Sequence, residues 1–315
     1  MRPSSQRETL GTAGPEVNAG QPAGATQGRP RYVVISPVRD ERDLIGRTIE
    51  SVMGQEVVPS QWIIVDDGSR DNTGTVIEEY VRECPWITPI RRPDRGFREP
   101  GTGVIDAFYT GYQHLRVPDW EFIVKLDGDL ILTPDYFKNC LAEFRNDSTL
   151  GIGGGAVGHI LDGAMYIEPN PSFHVRGATK IYRRECWNAI GGLLKAPGWD
   201  TVDELKANML GWTTRTFSHL PVLQARPTGA TNGMWGNAVK NGRANYITGY
   251  HPLFMALKCL GRARRRPYVI SGVGLMYGYL QGYFKRLPRV PDQALIRYTR
   301  KQQLRRLLLL DSIWQ

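Results

Sequence analysis

Residues 62–81, WIIVDDGSRDNTGTVIEEYV, decide the fold class of this 315-residue chain. The run 62–65 is apolar and partly β-branched, as in a strand that is buried within a parallel sheet. A polar loop follows, and from Thr73 onward the apolar residues recur at helical spacing. The stretch therefore predicts one βα unit, a buried strand that leads through a polar loop into an amphipathic helix.

The same pattern precedes this unit, and a third strand follows it. Residues 32–38, YVVISPV, form a similar apolar run, and residues 44–53 carry apolar side chains at helical spacing. Residues 122–126, FIVKL, are the third clear strand. Two successive βα units predict an α/β fold with a doubly wound, mostly parallel sheet that is flanked by helices.

The pattern is less regular after about residue 150. Residues 151–160, GIGGGAVGHI, predict either a glycine-rich loop or a bulged strand. Residues 174–192 predict a strand and then a short helix, and residues 202–212 predict a helix that Gly211 closes. Four scattered cysteines without Cys-x-x-Cys spacing indicate reduced thiols, with neither a zinc site nor a disulfide framework.

Acidic residues follow each of the three strands: Asp40 and Glu41, Asp66 and Asp67, and Asp127 and Asp129. Ligands of open α/β sheets bind beyond the carboxyl ends of the strands, so these acids are expected to meet at one edge. Gathered carboxylates repel one another unless a cation or hydrogen-bond donors lie among them, and oxygen ligands suit Mg²⁺ or Mn²⁺. Asp-Gly-Ser and Asp-Gly-Asp are also ordinary turn sequences. Three acidic strand ends together predict a divalent cation that holds a diphosphate.

Three motifs in order, SPVRDE at 36–41, IIVDDGSRDNT at 63–73 and KLDGD at 125–129, resemble those of the family 2 glycosyltransferases. The resemblance covers roughly residues 31–230, and it departs from the family where Asp40 replaces a common Asn. It implies an inverting enzyme with a GT-A fold. Such an enzyme moves a sugar from a nucleotide-diphosphate sugar to an acceptor hydroxyl, with Mn²⁺ or Mg²⁺ as cofactor.

The resemblance also implies roles for single residues. Glu41 and Asp67 would help to bind the nucleoside, Asp127 would contact the ribose or the metal shell, and Asp129 would hold the metal ion. Such an ion neutralises charge that grows on the departing diphosphate. The implied donor site includes further residues from these motifs and from the Arg/Gly-rich stretch 92–108 between the second and third motifs: Pro37, Arg39, Asp66, Lys125 and Arg95.

The family takes its catalytic base from a Glu-Asp pair at the start of a helix that ends in Gly-Trp or Gly-Tyr. Counting back from Gly211 by the family's usual spacing gives Asp200, which here follows Trp199 instead of Glu. We expect Asp200 to be the base and Asp203 to be the alternative, although Glu204 is close and acids also stabilise a helix N-terminus without any catalytic role.

Other positions leave alternatives open. Gln224 stands where many relatives carry a histidine, so a histidine metal ligand is not expected, and nearby His219 is expected to be an ordinary surface residue. Arg183 and Arg184 are interpreted either as contacts to the acceptor or a phosphate, or as solvent-facing charges.

Positive charge is concentrated near the C-terminus. Residues 258–306 hold 13 Lys or Arg and one Asp, a net charge of +12 in a chain whose total is +9, so the remainder carries −3. This distribution predicts a local anionic partner and argues against nucleic acid. Residues 267–284 lack charge but are rich in Gly and Tyr, which favours the surface of an anionic membrane over a membrane span. A helical hairpin packed on the catalytic domain and a homo-oligomer contact are the alternatives, and residues 296–310 predict a basic amphipathic helix.

These patterns divide the chain into three parts. Residues 1–29 predict a disordered tail without the hydrophobic core of a secretory signal, which predicts a cytoplasmic enzyme, peripheral at the inner face of the cell membrane. Residues 30–250 predict the catalytic domain, with a donor half at 30–130 and an acceptor half at 131–250, and residues 251–315 the basic, aromatic helical segment.

The predicted activity is transfer of a sugar to a hydroxyl, and the expected acceptor is a lipid-linked or cell-surface glycan. The first alternative is a nucleotide-sugar pyrophosphorylase or hydrolase. Against it, this sequence has no Gly-rich, Arg/Lys-containing phosphate loop immediately after the first strand. The second, a non-catalytic module that binds membrane surfaces, leaves the three acidic strand ends unexplained.

Overall fold

The computed structural model describes residues 30–96, 101–167, 170–226, 233–264 and 269–314, and the predicted disordered tail at 1–29 lies outside these ranges. The strands and helices of the described residues are, in chain order, β1 (Tyr32–Val38), α1 (Arg42–Met53), β2 (Gln61–Asp66), α2 (Thr73–Val81), β3 (Ile87–Arg91), α3 (Thr102–Tyr112), β4 (Phe122–Leu126), β5 (Leu130–Ile131), α4 (Tyr136–Asn146), β6 (Leu150–Leu161), β7 (Ala164–Ile167), β8 (Thr179–Arg183), α5 (Arg184–Ile190), α6 (Trp199–Met209), β9 (Thr213–Gln224), α7 (Gly233–Ile247), α8 (Pro252–Ala263), α9 (Ile270–Phe284) and α10 (Gln293–Leu307).

All of these strands join one sheet in the order β3-β2-β1-β4-β8-β6-β9-β5, and β7 pairs with β6. Strands β3, β2, β1 and β4 are mutually parallel, whereas β8 is antiparallel to both of its neighbours and β9 is parallel to β6. The predicted α/β fold is confirmed, with the doubly wound parallel part in the first half of the chain and a mixed part in the second.

Strand β1 shows how the sheet is covered on both faces. Its side chains alternate, so Tyr32 and Val34 belong to the core beneath α1, α2 and α4, whereas Val33 and Ile35 belong to the core beneath α3, α5 and α6. Every residue of β1 is buried. The continuous apolar run in the sequence therefore reflects a strand covered by helices on both sides.

Most of the elements predicted from sequence are confirmed, and the glycine-rich segment is the bulged strand β6, with register shifts at Leu150/Ile152 and Gly155/Ala156. Strand β3 was not predicted. It holds Pro89, and its burial alternates with partial exposure, as expected of a strand at the end of the sheet. The strand predicted as the third, residues 122–126, is therefore β4 of the structure.

The four C-terminal helices α7 to α10 share an apolar core with α6. Val202 and Leu205 of α6 share one apolar core with Tyr246 of α7, Met255 of α8 and Tyr279 of α9. The basic helix predicted near the C-terminus is α10, which buries Leu295, Ile296, Thr299 and Gln303. The chain division predicted at residue 250 stays a prediction.

Two further sequence-based expectations concern the cysteines and membrane-spanning helices. All four cysteines are buried and unpaired, in keeping with their scattered positions. Within the described ranges, no helix combines the length and the apolar character that crossing a bilayer requires.

Candidate active site

The candidate site lies between β1 and β4, where the order of the strands in the sheet reverses. Strand β1 is flanked by β2 on one side and by β4 on the other, and its pairing with β4 ends at Ile35 and Lys125 although β1 continues to Val38. A crevice at the carboxyl ends of two such strands is the usual ligand site of open α/β sheets. The loop after β1, with Arg39 and Glu41, and the loop after β4, with Asp127 and Asp129, both leave the sheet at this edge, which we call the β1/β4 crevice.

The turn after β2 braces the loop after β1. Gly68 has a φ of +75°, and a Cβ atom there would lie 2.5 Å from the Cα of Asp94, so no other residue fits. Asp66 accepts a hydrogen bond of 2.8 Å from the backbone N–H of Ser69, whose hydroxyl accepts the N–H of Asp40 at 2.9 Å. The Asp-Gly-Ser turn therefore fixes the position of the first acidic strand end.

A second brace joins the starts of α1 and α2. The carboxylate of Asp71 accepts the N–H of Thr73 at 2.9 Å and the N–H of Arg42 at 3.1 Å. The Thr73 hydroxyl accepts the N–H of Glu41 at 2.8 Å. Asp71 thus satisfies the backbone N–H of the first residue of both helices, whereas the N-cap residues Asn72 and Glu41 make no side-chain capping hydrogen bond.

Asp67 lies against several arginines. Arg92 donates to its carboxylate at 2.6 Å, Arg95 also pairs with it, and Arg39 donates to its backbone carbonyl at 2.7 Å. Arg39 also donates to Asp94 at 2.7 Å. Burial raises the pKa of the Asp67 carboxyl group despite these cations. This wall of the crevice therefore offers both guanidinium groups and a carboxylate, and sequence reasoning did not identify Arg92.

Two other residues implied for the donor site belong to the framework behind it. Pro37 is buried in β1 opposite Val65 of β2. The second oxygen of the Asp66 carboxylate is buried 3.9 Å from Arg91. Asp66, the last residue of β2, therefore holds the turn that follows the strand.

The glycine between Asp127 and Asp129 in the KLDGD motif allows the close packing of the loop after β4. A Cβ atom on Gly128 would lie 2.6 Å from the Cγ1 of Val38, closer than van der Waals contact permits. The Thr48 hydroxyl also donates to the Gly128 carbonyl at 2.8 Å. This loop therefore holds Asp127 and Asp129 beside the end of β1.

Asp127 is paired with a lysine of the preceding strand. Lys125 is almost completely buried, forms an ion pair with Asp127 and donates to the carbonyl of Gly177 at 2.6 Å. Asp127 itself is about one-third exposed, with 30% of its side chain accessible. Lys125 therefore orients a carboxylate that still faces solvent.

Asp129 is the more deeply buried acid. Burial and, to a smaller extent, the charge of Asp127 raise the pKa of Asp129 to about 6. Gln224, from the end of β9, places its amide nitrogen 3.2 and 3.4 Å from the two carboxylate oxygens. The residue found where many relatives carry a histidine thus contacts the carboxylate predicted to hold the metal.

The donor set fits a cation that a diphosphate helps to hold. Among the residues that the structure describes, no group of three or more His, Cys, Asp and Glu could bind a metal alone. Mg²⁺ sites of nucleotide enzymes commonly use one or two carboxylates, and phosphate oxygens and water complete the shell. A cation would also relieve the repulsion between Asp127 and Asp129.

Glu41 meets a residue that is distant in sequence. Its carboxylate accepts a hydrogen bond of 2.6 Å from Arg226, which lies just beyond β9. The pair joins two ends of the site separated by 185 positions, so no local pattern could have identified Arg226. Residues 227–232 lie outside the described ranges.

Asp200 lies in the first turn of α6, beside Gly177. A Cβ atom on Gly177 would lie 3.3 Å from the Asp200 Cβ and 2.9 Å from the Trp199 ring. The same glycine accepts the hydrogen bond from Lys125. Within the described part of the chain, no side chain or backbone group hydrogen-bonds the Asp200 carboxylate. A short chain of contacts therefore links the donor carboxylates to a carboxylate with no hydrogen-bond partner there.

Asp203 and Glu204, on the buried face of α6, belong to a cluster of buried ionic side chains. Lys180 lies 3.0 Å from both oxygens of Asp203 and 2.7 Å from Glu204, and all three side chains are fully buried. Tyr182 donates to Asp203 at 2.5 Å, and His174 lies 2.8 Å from Glu204. Burial raises the pKa of Asp203 to about 6, although Lys180 opposes this shift.

The arginines considered for the acceptor lie elsewhere. Arg183 donates to the carbonyls of Leu150 and Asp147 at 2.9 and 3.0 Å, and Arg184 donates to the carbonyl of Trp120 at 3.2 Å. Arg183 pairs with Phe122 at the start of β4, opposite to the end that carries the acids. Both arginines therefore brace the backbone, and neither contacts the site.

Comparison with known proteins identifies the family. The sequence model of glycosyl transferase family 2 matches residues 33–192, half of the chain. The chain belongs to this family. The match includes all three acidic strand ends and ends just before α6.

Two curated proteins of Pasteurella multocida are similar to this family 2 glycosyltransferase over 121 residues. A chondroitin synthase of strain Pm70 and a hyaluronan synthase are each 31% identical, over 38% of this chain and over 12% and 11% of their own lengths. The chain therefore aligns with only about an eighth of each synthase.

Solved structures show the same fold at low identity. A mannosyltransferase from Pyrobaculum calidifontis, in complex with GDP-Man and Mn²⁺, has a TM-score of 0.53 at 17% identity and covers 91% of this chain and 77% of its own. TarS from S. aureus, residues 1–349 in complex with UDP-GlcNAc, has a TM-score of 0.51 at 16% identity over 81% and 73% of the two chains. These glycosyltransferases confirm the predicted GT-A fold.

The elevated pKa of Asp129 predicts a stability effect that depends on pH. The pKa of this carboxyl group is 3.8 in the unfolded chain and about 6 in the folded protein. Ionisation therefore destabilises the folded state as the pH rises through this interval. Without divalent metals, Asp129→Asn is expected to raise the free energy of unfolding by up to about 3 kcal/mol at pH 7.5, but by only about 1 kcal/mol at pH 4.5.

Urea denaturation of both proteins in chelator at the two pH values tests this expectation. Asp135→Asn serves as the control, because Asp135 has a lowered pKa and should show no such gain. An equal gain for Asp129→Asn at both pH values would contradict the account.

Proposed function

We propose that this family 2 glycosyltransferase moves a sugar from a nucleotide-diphosphate sugar to an acceptor hydroxyl with inversion at the anomeric carbon. The observation that supports this proposal is that the carboxylates expected to hold the metal and the carboxylate expected to act as base lie on either side of one loop at the β1/β4 crevice, through Lys125 and Gly177. Asp127 and Asp129 lie at the end of β4, and Asp200 contacts the same Gly177 that fixes Lys125. A donor site and a base are thus side by side.

In this proposal the donor nucleotide lies along the ends of β1 and β2. Glu41 and Asp67 bind the nucleoside through its hydroxyl or base N–H groups. Arg92 and Arg95 orient the Asp67 carboxylate, Arg226 orients that of Glu41, and Arg39 holds the backbone carbonyl of Asp67. Asp129, with Asp127, would hold Mg²⁺ or Mn²⁺ on the diphosphate. A cation bound there would supply positive charge for the leaving group.

Asp200 acts as the general base in the proposed reaction. It accepts the proton of the acceptor hydroxyl as that oxygen forms a bond to the anomeric carbon, and the bond to the diphosphate oxygen breaks with its electron pair on the nucleotide. Attack from the face opposite the leaving group inverts the configuration. Asp203 is less suited to this role because Lys180 and Tyr182 already occupy its two oxygens.

We also propose a lipid-linked or cell-surface glycan as the acceptor and the inner face of the cell membrane as the place of work. Support comes from the similarity to polysaccharide synthases and from the cationic C-terminal segment. Family membership favours transfer over a pyrophosphorylase or hydrolase activity, and over a non-catalytic module.

Product analysis tests the proposed reaction. Purified protein is incubated with UDP-, GDP- and dTDP-sugars, with and without glycan acceptors, and released nucleoside diphosphate is measured. We expect one nucleotide to be released in amounts that rise with acceptor, and NMR of the product to show the anomeric configuration opposite to that of the donor. Retention of configuration, or pyrophosphate-dependent nucleotide exchange, would contradict the proposal.

A further inference from the structure

One face of α9 is apolar and exposed. Val273, Tyr277, Leu280 and Phe284 recur along the helix at intervals of four, three and four residues, and their exposed fractions are 51%, 51%, 43% and 83%. This spacing places the four side chains on one stripe of the helix surface. A soluble protein rarely leaves such a stripe uncovered without an interaction to serve.

The opposite face of α9 is already packed, so the exposed stripe is not an unfinished core. A Cβ atom on Gly278 would lie 2.0 Å from the carbonyl oxygen of Val239 in α7, and one on Gly242 of α7 would lie 2.1 Å from the carbonyl of Leu275. The two helices thus touch backbone to backbone. Close packing fixes the orientation of α9 and with it the direction in which the stripe faces.

Neighbouring helices extend the apolar surface. Trp235 of α7 is 47% exposed, and its ring lies 5.9 Å from that of Tyr277. Helix α8, which packs against α9, also exposes an apolar stripe, formed by Leu253, Leu257 and Leu260. We call the exposed apolar residues of α7, α8 and α9 the C-terminal apolar surface.

The charge around this surface has one sign. Residues 252–291 contain eight Lys or Arg and no Asp or Glu. Lys285 and Arg286 directly follow Phe284 and are exposed, and Arg262 and Arg264 lie exposed near the other end of α9. A second copy of the chain would bring like charges together here, whereas an anionic surface would be complementary.

We infer that the C-terminal apolar surface inserts into the headgroup region of an anionic bilayer. Helix α9 would lie in the plane of the membrane, with aromatic rings at the interface and the flanking cations on acidic lipid headgroups. In this arrangement the attachment is peripheral. The inference deepens the proposed function by naming the surface that holds the enzyme at its membrane.

Vesicle sedimentation of the full chain tests this inference. Wild-type protein is expected to sediment with phosphatidylcholine vesicles that contain about 30% phosphatidylglycerol, but not with pure phosphatidylcholine. The double variant Lys285→Gln/Arg286→Gln should lower the partition coefficient about 30-fold, since each cation near the surface contributes about a factor of five. Tyr277→Ser/Phe284→Ser should lower it by at least about tenfold.

Matched controls separate this surface from other exposed apolar groups and from loss of fold. Met165→Ser/Ile167→Ser on β7, 38% and 40% exposed, should leave sedimentation unchanged. Nucleoside diphosphate binding, measured by calorimetry, should be equal in all variants, so failure of the donor site is distinguished from failure of membrane attachment. Wild-type protein that stays in the supernatant with anionic vesicles would overturn the inference. So would a dimer in solution that Tyr277→Ser/Phe284→Ser dissociates.

Discussion

Replacement of Asp200 with asparagine is expected to lower the turnover number by about 10²- to 10⁴-fold and to leave nucleotide affinity unchanged. The asparagine amide has nearly the same shape, so the first turn of α6 is kept, but it cannot accept the proton of the acceptor hydroxyl. Because the Asp200 carboxylate has no hydrogen-bond partner among the described residues, its removal should not disturb a buried network. Steady-state kinetics with saturating donor and calorimetry of the nucleoside diphosphate give the two readouts.

Asp203→Asn is the matched comparison. Its carboxylate is held by Lys180 and Tyr182, so this change should lower the stability of the protein, while the activity of the molecules that remain folded falls far less. A collapse of the rate in Asp203→Asn, with Asp200→Asn still active, would assign the base to Asp203 and contradict the account.

Replacement of Lys180 with methionine is expected to lower the free energy of unfolding by about 3–5 kcal/mol. Lys180 is fully buried between Asp203 and Glu204, and its removal leaves these two carboxylates together, with His174 as a partner of Glu204 only. Its ammonium group also donates to the Asp200 carbonyl, so the start of α6 loses a contact as well. Denaturant unfolding at pH 7.5 measures the loss.

Two comparisons isolate the buried charge as the cause. Lys138→Met removes a lysine whose 2.7 Å pair with Glu56 is exposed, and it should leave the free energy of unfolding nearly unchanged. The triple variant Lys180→Met/Asp203→Asn/Glu204→Gln should be more stable than Lys180→Met alone, because no unpaired charge remains. A triple variant that is less stable than Lys180→Met would show that packing, and not charge, dominates at this position.

The sequence predicted the parts of the molecule whose chemistry is local. Apolar runs followed by polar loops marked β1, β2 and β4, because both faces of these strands are covered by helices. Each run ended in acids, and the carboxyl ends of parallel strands share one edge of the sheet. The crevice could therefore be predicted before its geometry was known.

Contacts between distant segments could not be predicted in the same way. Arg226 reaches Glu41 across 185 positions, and its role depends on where β9 runs in the sheet. Three carboxylates at the start of α6 were similar in sequence, yet Lys180 of β8 makes Asp203 and Glu204 part of a buried cluster and leaves Asp200 apart. This distinction depends on the pairing of β8 with β4, which the spacing of residues in α6 does not reveal.

Calorimetric titration of UDP, GDP and dTDP into the purified protein tests the central claim, that the acids at the ends of β1, β2 and β4 bind a nucleoside diphosphate through a cation. The account predicts that one nucleotide binds in the presence of Mn²⁺, and that binding is lost with EDTA and in Asp129→Asn. Absence of binding by all three nucleotides to folded protein with Mn²⁺, or equal affinity in wild type and Asp129→Asn, would contradict it.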